Sequence, residues 1–374
     1  MRGLLCGWCL LAYSAHAQVK VYADSVVLRN PTLEVHQTLQ GPGLTALLLA
    51  NRPVNPFAWR LPVEDQPSSN RAGYDFRGHF VSVGTWGAPT AGQQRAGVRL
   101  YGDINATHGQ VEEPRSDGPG RYCRLWFEEG VEQLSVRREL ELDRQAPVLR
   151  VTEHVTNHLP VGRPYNLLQH ATFGGEFVDR HLLVNTNAGR GFYQKGQYPR
   201  ASYDSLEATA YHWPRGQLAG DTVDLRYTGQ LSKTYLSSHV FSDTLIHGWA
   251  VAANPQKELL VGYWWSLADY PWLNVWQQYK QGKVRGRALE FATCGLGVSF
   301  QELIEEDHRF FDRLSFEFID AGETITKSYY LFAQKIPRDF RQMKQVRRRG
   351  NTLELSFETP QGTVTQRIVL KSLR

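Results

Sequence analysis

Short runs in which every second residue is apolar recur from one end of the chain to the other. Examples are VKVYADSVVLRN, LSVRRELELD, VLRVTEHVTN and TLELSFETP. A two-residue period places the apolar side chains on one face of a β-strand, and Gly, Pro, Asn or Asp closes most of the runs. The 374 residues contain no repeat of fixed period. We therefore expect an all-β protein, built as a large antiparallel β-sandwich.

Two pairs of these runs are predicted to form hairpins. One hairpin joins LSVRRELELD to VLRVTEHVTN through residues 144–147, and the other folds NTLELSFETP onto TVTQRIVL through Gln361-Gly362. Two stretches depart from the alternation. QELIEEDHRFFDR, residues 301–313, is predicted to be a surface helix or an ordered loop, and residues 337–346 are a second possible helix.

The first 17 residues have the features of a secretory signal peptide. Arg2 precedes a short apolar run over residues 4–12, and Ala15-His16-Ala17 fits a signal-peptidase site. We expect cleavage after Ala17, a periplasmic or secreted protein, and a single β-sandwich domain over residues 18–374. No segment reaches the roughly 20 apolar residues that a membrane-spanning helix needs, so no membrane span is expected.

The mature chain would keep two of the four cysteines, Cys123 and Cys294. An oxidising compartment permits a disulfide between them, but the sequence leaves their pairing open. Two cysteines without a CxxC spacing do not make a zinc site. The sequence also leaves the oligomeric state and a bound calcium ion open.

The formal net charge of +5 is too dilute over this length to indicate nucleic-acid binding. The basic cluster at residues 338–349 is more typical of a solvated surface than of a contact with an acidic partner. The motifs GxGxxG, GxxxxGKS, GxSxG and HExxH are all absent. Their absence argues against dinucleotide and P-loop sites, an acyl-transfer serine on a nucleophile elbow, and a zincin metalloprotease.

Three ionisable side chains stand in apolar or Gly-flanked stretches. Glu290 lies inside RALEFATCG, which reads as a buried strand, and a buried carboxylate is costly unless it is paired. His170 stands in the apolar strand pattern of LLQHATFGG, and His108 precedes a glycine in ATHGQ. Each of them alone could be structural. Brought together in a cleft, they would suit general acid/base catalysis near neutral pH.

Aromatic residues are concentrated in YWWSLADYPWLNVWQQY, which holds four of the 10 tryptophans. Trp272 and Trp276 could pack in the core or stack on the apolar face of a sugar ring. His79 and Trp86, in RGHFVSVGTWG, are further candidates for contact with a sugar. The partner predicted from these clusters is a carbohydrate, either a monosaccharide or an oligosaccharide.

Three segments resemble the aldose 1-epimerases of the galactose mutarotase-like superfamily. VLRVTEHVTNHLPVGRPYNLLQHATFGG is similar to the paired strands that end in "vTN" and "NHxxF", RALEFATCG to the "CLExxT" strand, and ATHGQ to the "LHGG" segment. Their order and rough spacing agree with that family. The resemblance implies the galactose mutarotase-like form of the β-sandwich.

The resemblance also implies roles for individual residues. His170 matches the general acid, Glu290 the general base, and His108 a histidine that holds the substrate. Asn70 and Arg71 are similar to the asparagine and arginine that grip the sugar. In such a reaction the base takes the proton of the anomeric hydroxyl while the acid protonates the ring oxygen, so the ring opens and recloses from the other face. This proton transfer requires no metal or organic cofactor.

The sequence departs from this family at several positions, and the departures leave the function open. Ser238 stands where the family has an aspartate that binds sugar hydroxyls, and His79, Trp86 and the YPWLNVW segment lack a counterpart. The sugar could therefore be the end of an oligosaccharide or an acidic sugar, or the protein could bind carbohydrate without transforming it. A glycoside hydrolase or polysaccharide lyase on this fold is a further alternative. A hydrolase needs two carboxylates about 5–10 Å apart, with Asp269 as the second candidate.

Overall fold

A computed structural model describes residues 18–68, 71–116, 120–128, 130–194, 210–218, 220–230, 232–305 and 309–373. The expected signal peptide and Asn70 lie outside the described residues, so predictions about them stay predictions. None of the helices in the described part of the chain is long and apolar enough to cross a membrane.

The described chain consists mainly of β-strands. The first group comprises β1 (Gln18–Val21), β2 (Ser25–Arg29), β3 (Leu33–Thr38), β4 (Leu44–Leu49), β5 (Arg60–Leu61), β6 (Phe76–Arg77), β7 (His79–Gly84), β8 (Gln110–Arg115), β9 (Arg121–Glu128) and β10 (Leu134–Leu142). The second comprises β11 (Val148–Asn157), β12 (Arg163–Phe173), β13 (Leu183–Thr186), β14 (Arg190–Tyr193), β15 (Tyr211–His212), β16 (Arg215–Leu218), β17 (Asp221–Asp224), β18 (Tyr235–Val240), β19 (His247–Asn254) and β20 (Leu259–Ser266). The third comprises β21 (Trp272–Lys280), β22 (Lys283–Ala292), β23 (Arg309–Phe310), β24 (Arg313–Leu314), β25 (Glu317–Ile319), β26 (Thr324–Lys335), β27 (Gln342–Arg349), β28 (Thr352–Thr359) and β29 (Gly362–Val369).

Among the described residues, helical structure is limited to short elements. The described residues form two α-helices, α1 (Ala91–Arg95) and α2 (Phe300–Glu305). They also form 3₁₀ turns at Val63–Asp65, Ile104–Ala106, Gly175–Phe177 and Pro255–Lys257. The hydroxyl of Thr90 caps α1 by accepting a hydrogen bond from the backbone N–H of Gln93.

Two large antiparallel sheets form the sandwich. The first has the order β1-β2-β3-β4-β7-β12-β22-β21-β18-β14-β15, with β25 also paired to β12. The second has the order β13-β19-β20-β26-β11-β10-β9-β8. Alternate residues of both sheets, such as Val81, Ala171 and Phe291 from the first and Val151 and Leu331 from the second, meet in one apolar core. The predicted all-β antiparallel sandwich is therefore confirmed.

A three-stranded sheet, β27-β28-β29, covers the outer face of the second large sheet. Met343 and Val346 from β27 are buried there beside Phe357 from β28 and Phe332 from β26. The possible helix at residues 337–346 is thus wrong, because pairing with β28 extends residues 342–349 into a strand. The first helix prediction is right only in part: α2 covers residues 300–305, and residues 309–314 form the short hairpin of β23 and β24.

Both predicted hairpins are present. Strand β10 pairs with β11 from Leu134↔Asn157 to Leu142↔Leu149, and β28 pairs with β29 up to Thr359↔Gly362. Cys123 and Cys294 are both buried and unpaired, so they form no disulfide.

Candidate functional site

A single row of side chains crosses the middle of the first sheet. His170 on β12 is the direct cross-strand partner of Phe80 on β7 and of Glu290 on β22. Glu290 in turn faces Asn274 on β21, which faces Ser238 on β18. Directly opposed residues share a face of the sheet, and the residues beside them in sequence point into the sandwich core. The row therefore lies on the face turned away from the core.

The two titratable members of this row contact each other. The Nε2 atom of His170 lies 3.3 Å from Oε1 of Glu290, and the side chains are only 4% and 2% exposed. The Nδ1 atom of His170 lies 2.6 Å from Oγ1 of Thr172, whose hydroxyl donates to the backbone oxygen of His170 at 3.2 Å. Since that hydroxyl has one proton, Nδ1 must donate to it. The Nε2 atom of the neutral ring is then a free acceptor that faces Glu290.

Burial moves both pKa values towards the neutral forms. Desolvation lowers the pKa of His170 to about 3, although a hydrogen bond to its own backbone partly opposes the shift. Desolvation raises the pKa of Glu290 well above its usual value. In the free protein the pair is therefore a neutral imidazole next to a carboxylic acid, with the shared proton held by Glu290.

Four aromatic rings surround the imidazole of His170. Phe80 stacks on it with ring centroids 4.2 Å apart, and Trp59 lies nearly parallel at 6.3 Å. The rings of Tyr101 and Trp276 are roughly perpendicular to the imidazole, with centroids 5.5 and 5.7 Å from its centroid. These rings exclude water from the pair, which explains the shifted pKa values.

Two further predicted tryptophans belong to the same face. Trp272 precedes Asn274 by two residues on β21 and is fully buried, with its indole N–H donating to the backbone oxygen of Leu314 at 2.8 Å. Trp86 packs over Leu168 and Ala292, which form the row next to the His170 row. Trp272 and Trp86 therefore act as walls around the site, whereas Trp276 is half-buried.

The position of the expected aspartate carries a network of neutral polar groups. The hydroxyl of Ser238 donates to Oδ1 of Asn274 at 2.7 Å and accepts from Nε2 of Gln194 at 2.6 Å. Asn274 donates to the backbone oxygen of Cys294, and Gln194 also donates to the backbone oxygen of Gly295. These hydrogen bonds give the site a neutral polar edge next to Glu290 instead of a second carboxylate.

The other predicted substrate-binding residues are separate from the pair. His79 lies in the sandwich core, where its ring contacts Oε1 of Gln169 at 3.1 Å and the hydroxyl of Tyr263 at 3.2 Å. This burial corrects the expectation that His79 faces a sugar, because alternation turns it to the opposite face from Phe80. His108 is exposed and bridges to Gln40 by backbone pairing, without a contact to His170 or Glu290.

Arg71 is exposed, and the structure gives it no hydrogen bond or ion pair among the described residues. Asp269 accepts a hydrogen bond from the backbone N–H of Ser328 in the second sheet at 3.1 Å. It does not contact Glu290, so it gives the hydrolase alternative no support. Within the described ranges no group of three or more His, Cys, Asp or Glu side chains could hold a metal ion.

Sequence reasoning missed several residues of the site. Trp59 and Tyr101 come from connections between strands, and nothing in their sequence surroundings indicated that they would reach His170. Tyr101 has a left-handed backbone with φ of 63°, which is uncommon outside glycine and is often found at functional sites. Burial, followed by the charge of ionised Glu290, raises the pKa of Tyr101. Thr172 and Asn274 could have been found, because alternation places them on the same face as His170 and Trp276.

The arrangement of strands is similar to that of several solved structures. A Klebsiella pneumoniae protein provisionally described as an aldose 1-epimerase matches with a TM-score of 0.60 and 13% identity, over 83% of this chain and 80% of that one. A galactose mutarotase-like protein from Clostridium acetobutylicum matches with a TM-score of 0.59 and 13% identity, over 85% of this chain and 98% of that one. A galactose mutarotase related enzyme from Lactobacillus acidophilus matches with a TM-score of 0.57 and 10% identity, over 84% of this chain and 98% of that one.

Comparisons by sequence find nothing: no protein-family model matches the chain, and no curated protein does. Identities this low establish the fold alone. The chain therefore has the galactose mutarotase-like β-sandwich that the sequence motifs predicted.

Proposed function

We propose that this protein binds a sugar over the His170–Glu290 pair and interconverts its anomers by opening and reclosing the ring. The observation that carries the proposal is the pair itself: an imidazole and a carboxyl group 3.3 Å apart, in the centre of one sheet and enclosed by aromatic rings. An ionisable pair kept out of water, with both pKa values shifted, is typical of acid/base catalysts.

The pair has the proton count that anomer exchange requires. Ring opening removes a proton from the anomeric hydroxyl and adds one to the ring oxygen, so the catalyst must accept one proton and donate another. His170 offers a free Nε2 acceptor, because Thr172 holds the proton on Nδ1. Glu290, whose pKa is raised by burial, holds a proton to give. These roles are the reverse of those that the family resemblance implies, in which His170 is the general acid and Glu290 the general base. The bound sugar leaves the total number of protons on the pair unchanged, so ring closure can restore the starting state.

The aromatic rings and the polar edge would orient the sugar. A pyranose cannot fit between atoms 3.3 Å apart, so it must lie above both side chains and replace part of their aromatic cover. Trp276 is the half-buried member of that cover, and its indole can stack on the apolar face of a sugar. Asn274 and Ser238 lie in the same row but are fully buried and already hydrogen-bonded, so a sugar hydroxyl must replace one of their present partners to bind them.

Carbohydrate binding without catalysis is the second candidate function. It is favoured by the same burial, because side chains only 4% and 2% exposed must be uncovered before they can touch a substrate. If the aromatic cover does not open, a sugar can bind only against the outer surface of the rings. The two functions thus differ in whether the pair meets the ligand.

Polarimetry on freshly dissolved aldoses separates the two candidates. We expect the wild-type protein to accelerate anomer exchange of at least one common aldose or uronic acid, and Glu290→Gln and His170→Asn each to reduce the rate by about 10²–10⁴-fold. Glu112→Gln is the matched control, since Glu112 pairs with Arg137 at the surface of β8. If the wild type accelerates no sugar while methyl glycosides, which cannot open, still bind, the protein is a binding protein and the catalytic proposal is wrong.

A further inference from the structure

A cavity lies on the same side of the first sheet as the pair and is separated from it by one ring. Its volume is about 180 Å³, and its lining includes Tyr74, Phe76, Phe80, Gln40 and Asn105. The ring of Phe80 thus lines the cavity and also stacks on His170 with centroids 4.2 Å apart. The cavity is smaller than the clefts of several hundred Å³ that hold drug-sized ligands, so it has room for about one sugar ring.

One wall of this cavity is aromatic. Phe76 and Phe80 lie with centroids 4.7 Å apart, and Tyr74 meets Phe76 edge-on at 5.2 Å. Aromatic faces bind the apolar C–H surface of a sugar while leaving its hydroxyls free. The same rings lead from the cavity to His170, so a ligand on this wall would approach the pair.

Another part of the wall carries two acceptor atoms that have no hydrogen-bond donor among the described residues. Asn105 is 4% exposed and uses its Nδ2 to donate to the backbone oxygen of Val81 at 2.6 Å. No hydrogen bond to its Oδ1 occurs among the described residues, and none reaches Oε1 of Gln40, whose Nε2 donates to the backbone oxygen of Asn105 at 2.8 Å. Two acceptors, each held in place by the hydrogen bond of its own amide donor, therefore line the cavity and are available to the hydroxyl donors of a ligand.

The position of Asn105 is set by the backbone around it. Gly41 has φ of 69°, and a Cβ there would lie 2.8 Å from Cα of Asn105, so only glycine permits this approach. The backbone N–H of Gly41 donates to the oxygen of Thr107 at 2.9 Å. His108, expected to hold the substrate, pairs with Gln40 and so stands beside this wall and not beside Glu290.

The charges of the cavity argue against an anionic ligand. The carboxylate of Asp75 is neutralised by Arg60 and Arg77, which both reach its Oδ2. Asp24 has no ion pair in the part of the chain that the structure describes, and its only side-chain hydrogen bond comes from the hydroxyl of Ser25. The two arginines at Asp75 leave one positive charge that offsets Asp24, so the cavity has no net positive charge to hold a uronic acid, whereas a neutral ring meets acceptors for its hydroxyl protons.

We propose that this cavity is a second sugar-binding subsite, which takes a neutral ring next to the one over His170 and Glu290, so that the preferred ligand is a disaccharide or the end of a neutral oligosaccharide. The proposal rests on the proposed function in one respect only, namely that the neighbouring ring occupies the pair. Binding in the cavity itself requires no catalysis.

Isothermal titration calorimetry with the full-length protein tests the subsite. The probes are maltose, cellobiose and lactose, each compared with glucose, galactose and their methyl glycosides. We expect at least one disaccharide to bind about tenfold more tightly than its monosaccharides. Gln40→Ala and Asn105→Ala should each weaken that disaccharide about 3- to 10-fold, as is typical of a lost neutral hydrogen bond, and leave monosaccharide binding unchanged.

Gln110→Ala, at an exposed glutamine of β8 away from the cavity lining, is the matched control and should bind as the wild type does. If Asn105→Ala does not fold, the exposed Gln40 decides the outcome. Equal binding of disaccharides and monosaccharides, or wild-type binding by Gln40→Ala, would overturn the subsite even if anomer exchange is observed. A disaccharide gain without anomer exchange would support the subsite and refute the catalytic proposal.

Discussion

His170 and Glu290 are direct cross-strand partners on β12 and β22, and their side chains meet at 3.3 Å although 120 residues separate them in the chain. This register places an acid and a base side by side, at a position in the sheet where both side chains are shielded from water. Flanking aromatic rings and the hydroxyl of Thr172 fix the imidazole in orientation and in tautomer. The pair can therefore be tested by its protonation as well as by its activity.

Replacing Glu290 should change how stability depends on pH. The pKa of Glu290 is raised in the folded protein, so the folded state keeps a proton that the unfolded chain releases above the usual value of 4.5. That difference makes stability fall as pH rises. His170, whose pKa falls from 6.5 to about 3, makes stability rise between those values and has no effect above 6.5. Of these two residues, only Glu290 therefore affects the pH dependence of stability above pH 6.5.

We therefore expect Glu290→Gln, which cannot ionise, to gain stability relative to the wild type as the pH rises above 6.5, by up to about 1.4 kcal/mol per pH unit for as long as Glu290 stays protonated in the folded protein. Urea unfolding of both proteins at several pH values measures the difference. Glu112→Gln should follow the wild type throughout. Parallel curves for the wild type and Glu290→Gln would mean that Glu290 is ionised in the folded protein.

Removing the hydroxyl of Thr172 should allow His170 to change its tautomer. In the wild type we expect the proton on Nδ1, 2.6 Å from Oγ1 of Thr172. In Thr172→Val this partner is absent, so Nε2 can take the proton and donate to Glu290, which removes the acceptor that anomer exchange needs. We expect the exchange rate to fall about tenfold with little change in sugar affinity, because a general base contributes about 10²–10⁴-fold and some of the correct tautomer remains.

Long-range ¹⁵N–¹H NMR of the histidine rings identifies the tautomer directly. Thr365→Val is the matched control, because Thr365 lies on β29 and its hydroxyl contacts that of Ser356 at the surface. It should leave the His170 signals and the rate unchanged. An Nδ1 proton that persists in Thr172→Val would show that another part of the site selects the tautomer.

The local pattern of the sequence predicts faces well and neighbours poorly. Alternation places His170 and Gln169 on opposite faces of β12, and it places Trp272, Asn274 and Trp276 on one face of β21. Which strands lie side by side depends on contacts far apart in the chain, such as those of β7 with β12 and β12 with β22. These contacts could not be derived from the pattern, and only the resemblance to aldose 1-epimerases suggested that His170 and Glu290 meet.

The errors have the same physical origin. A helix over residues 337–346 is possible from the sequence because the local pattern there is ambiguous, but pairing with β28 and burial of Met343 and Val346 make residues 342–349 a strand. His79 looked like a site residue because the sequence does not reveal which face of β7 meets the core. Trp59 and Tyr101 reach the pair from loops whose path only the folded structure shows.

Gly174, which follows β12, packs closely against Trp59, whose indole lies beside the imidazole of His170. Gly174 has φ of −161°, which any residue adopts, so its role is purely steric. A Cβ at this position would lie 2.6 Å from Cα and Cβ of Trp59, and the backbone N–H of Gly174 donates to Pro56 in the same segment at 2.9 Å. The Trp59 segment thus cannot move away from position 174 without breaking this hydrogen bond.

Gly174→Ala should therefore displace the indole of Trp59, which stacks on His170 at 6.3 Å and donates to Oε1 of Gln278 at 2.9 Å. We expect a loss of about 1–3 kcal/mol in the free energy of unfolding, as is usual for overpacking, together with slower anomer exchange. Gly130→Ala is the matched control, because nothing lies within 4 Å of its Cβ position, and it should change stability by no more than about 0.5 kcal/mol. In protein labelled with 5-fluorotryptophan, the ¹⁹F signal of Trp59, assigned by Trp59→Phe, should shift in Gly174→Ala and not in Gly130→Ala. Equal stability of the two variants with an unshifted Trp59 signal would show that the backbone around Gly174 can accommodate a methyl group and that Gly174 does not position the ring of Trp59.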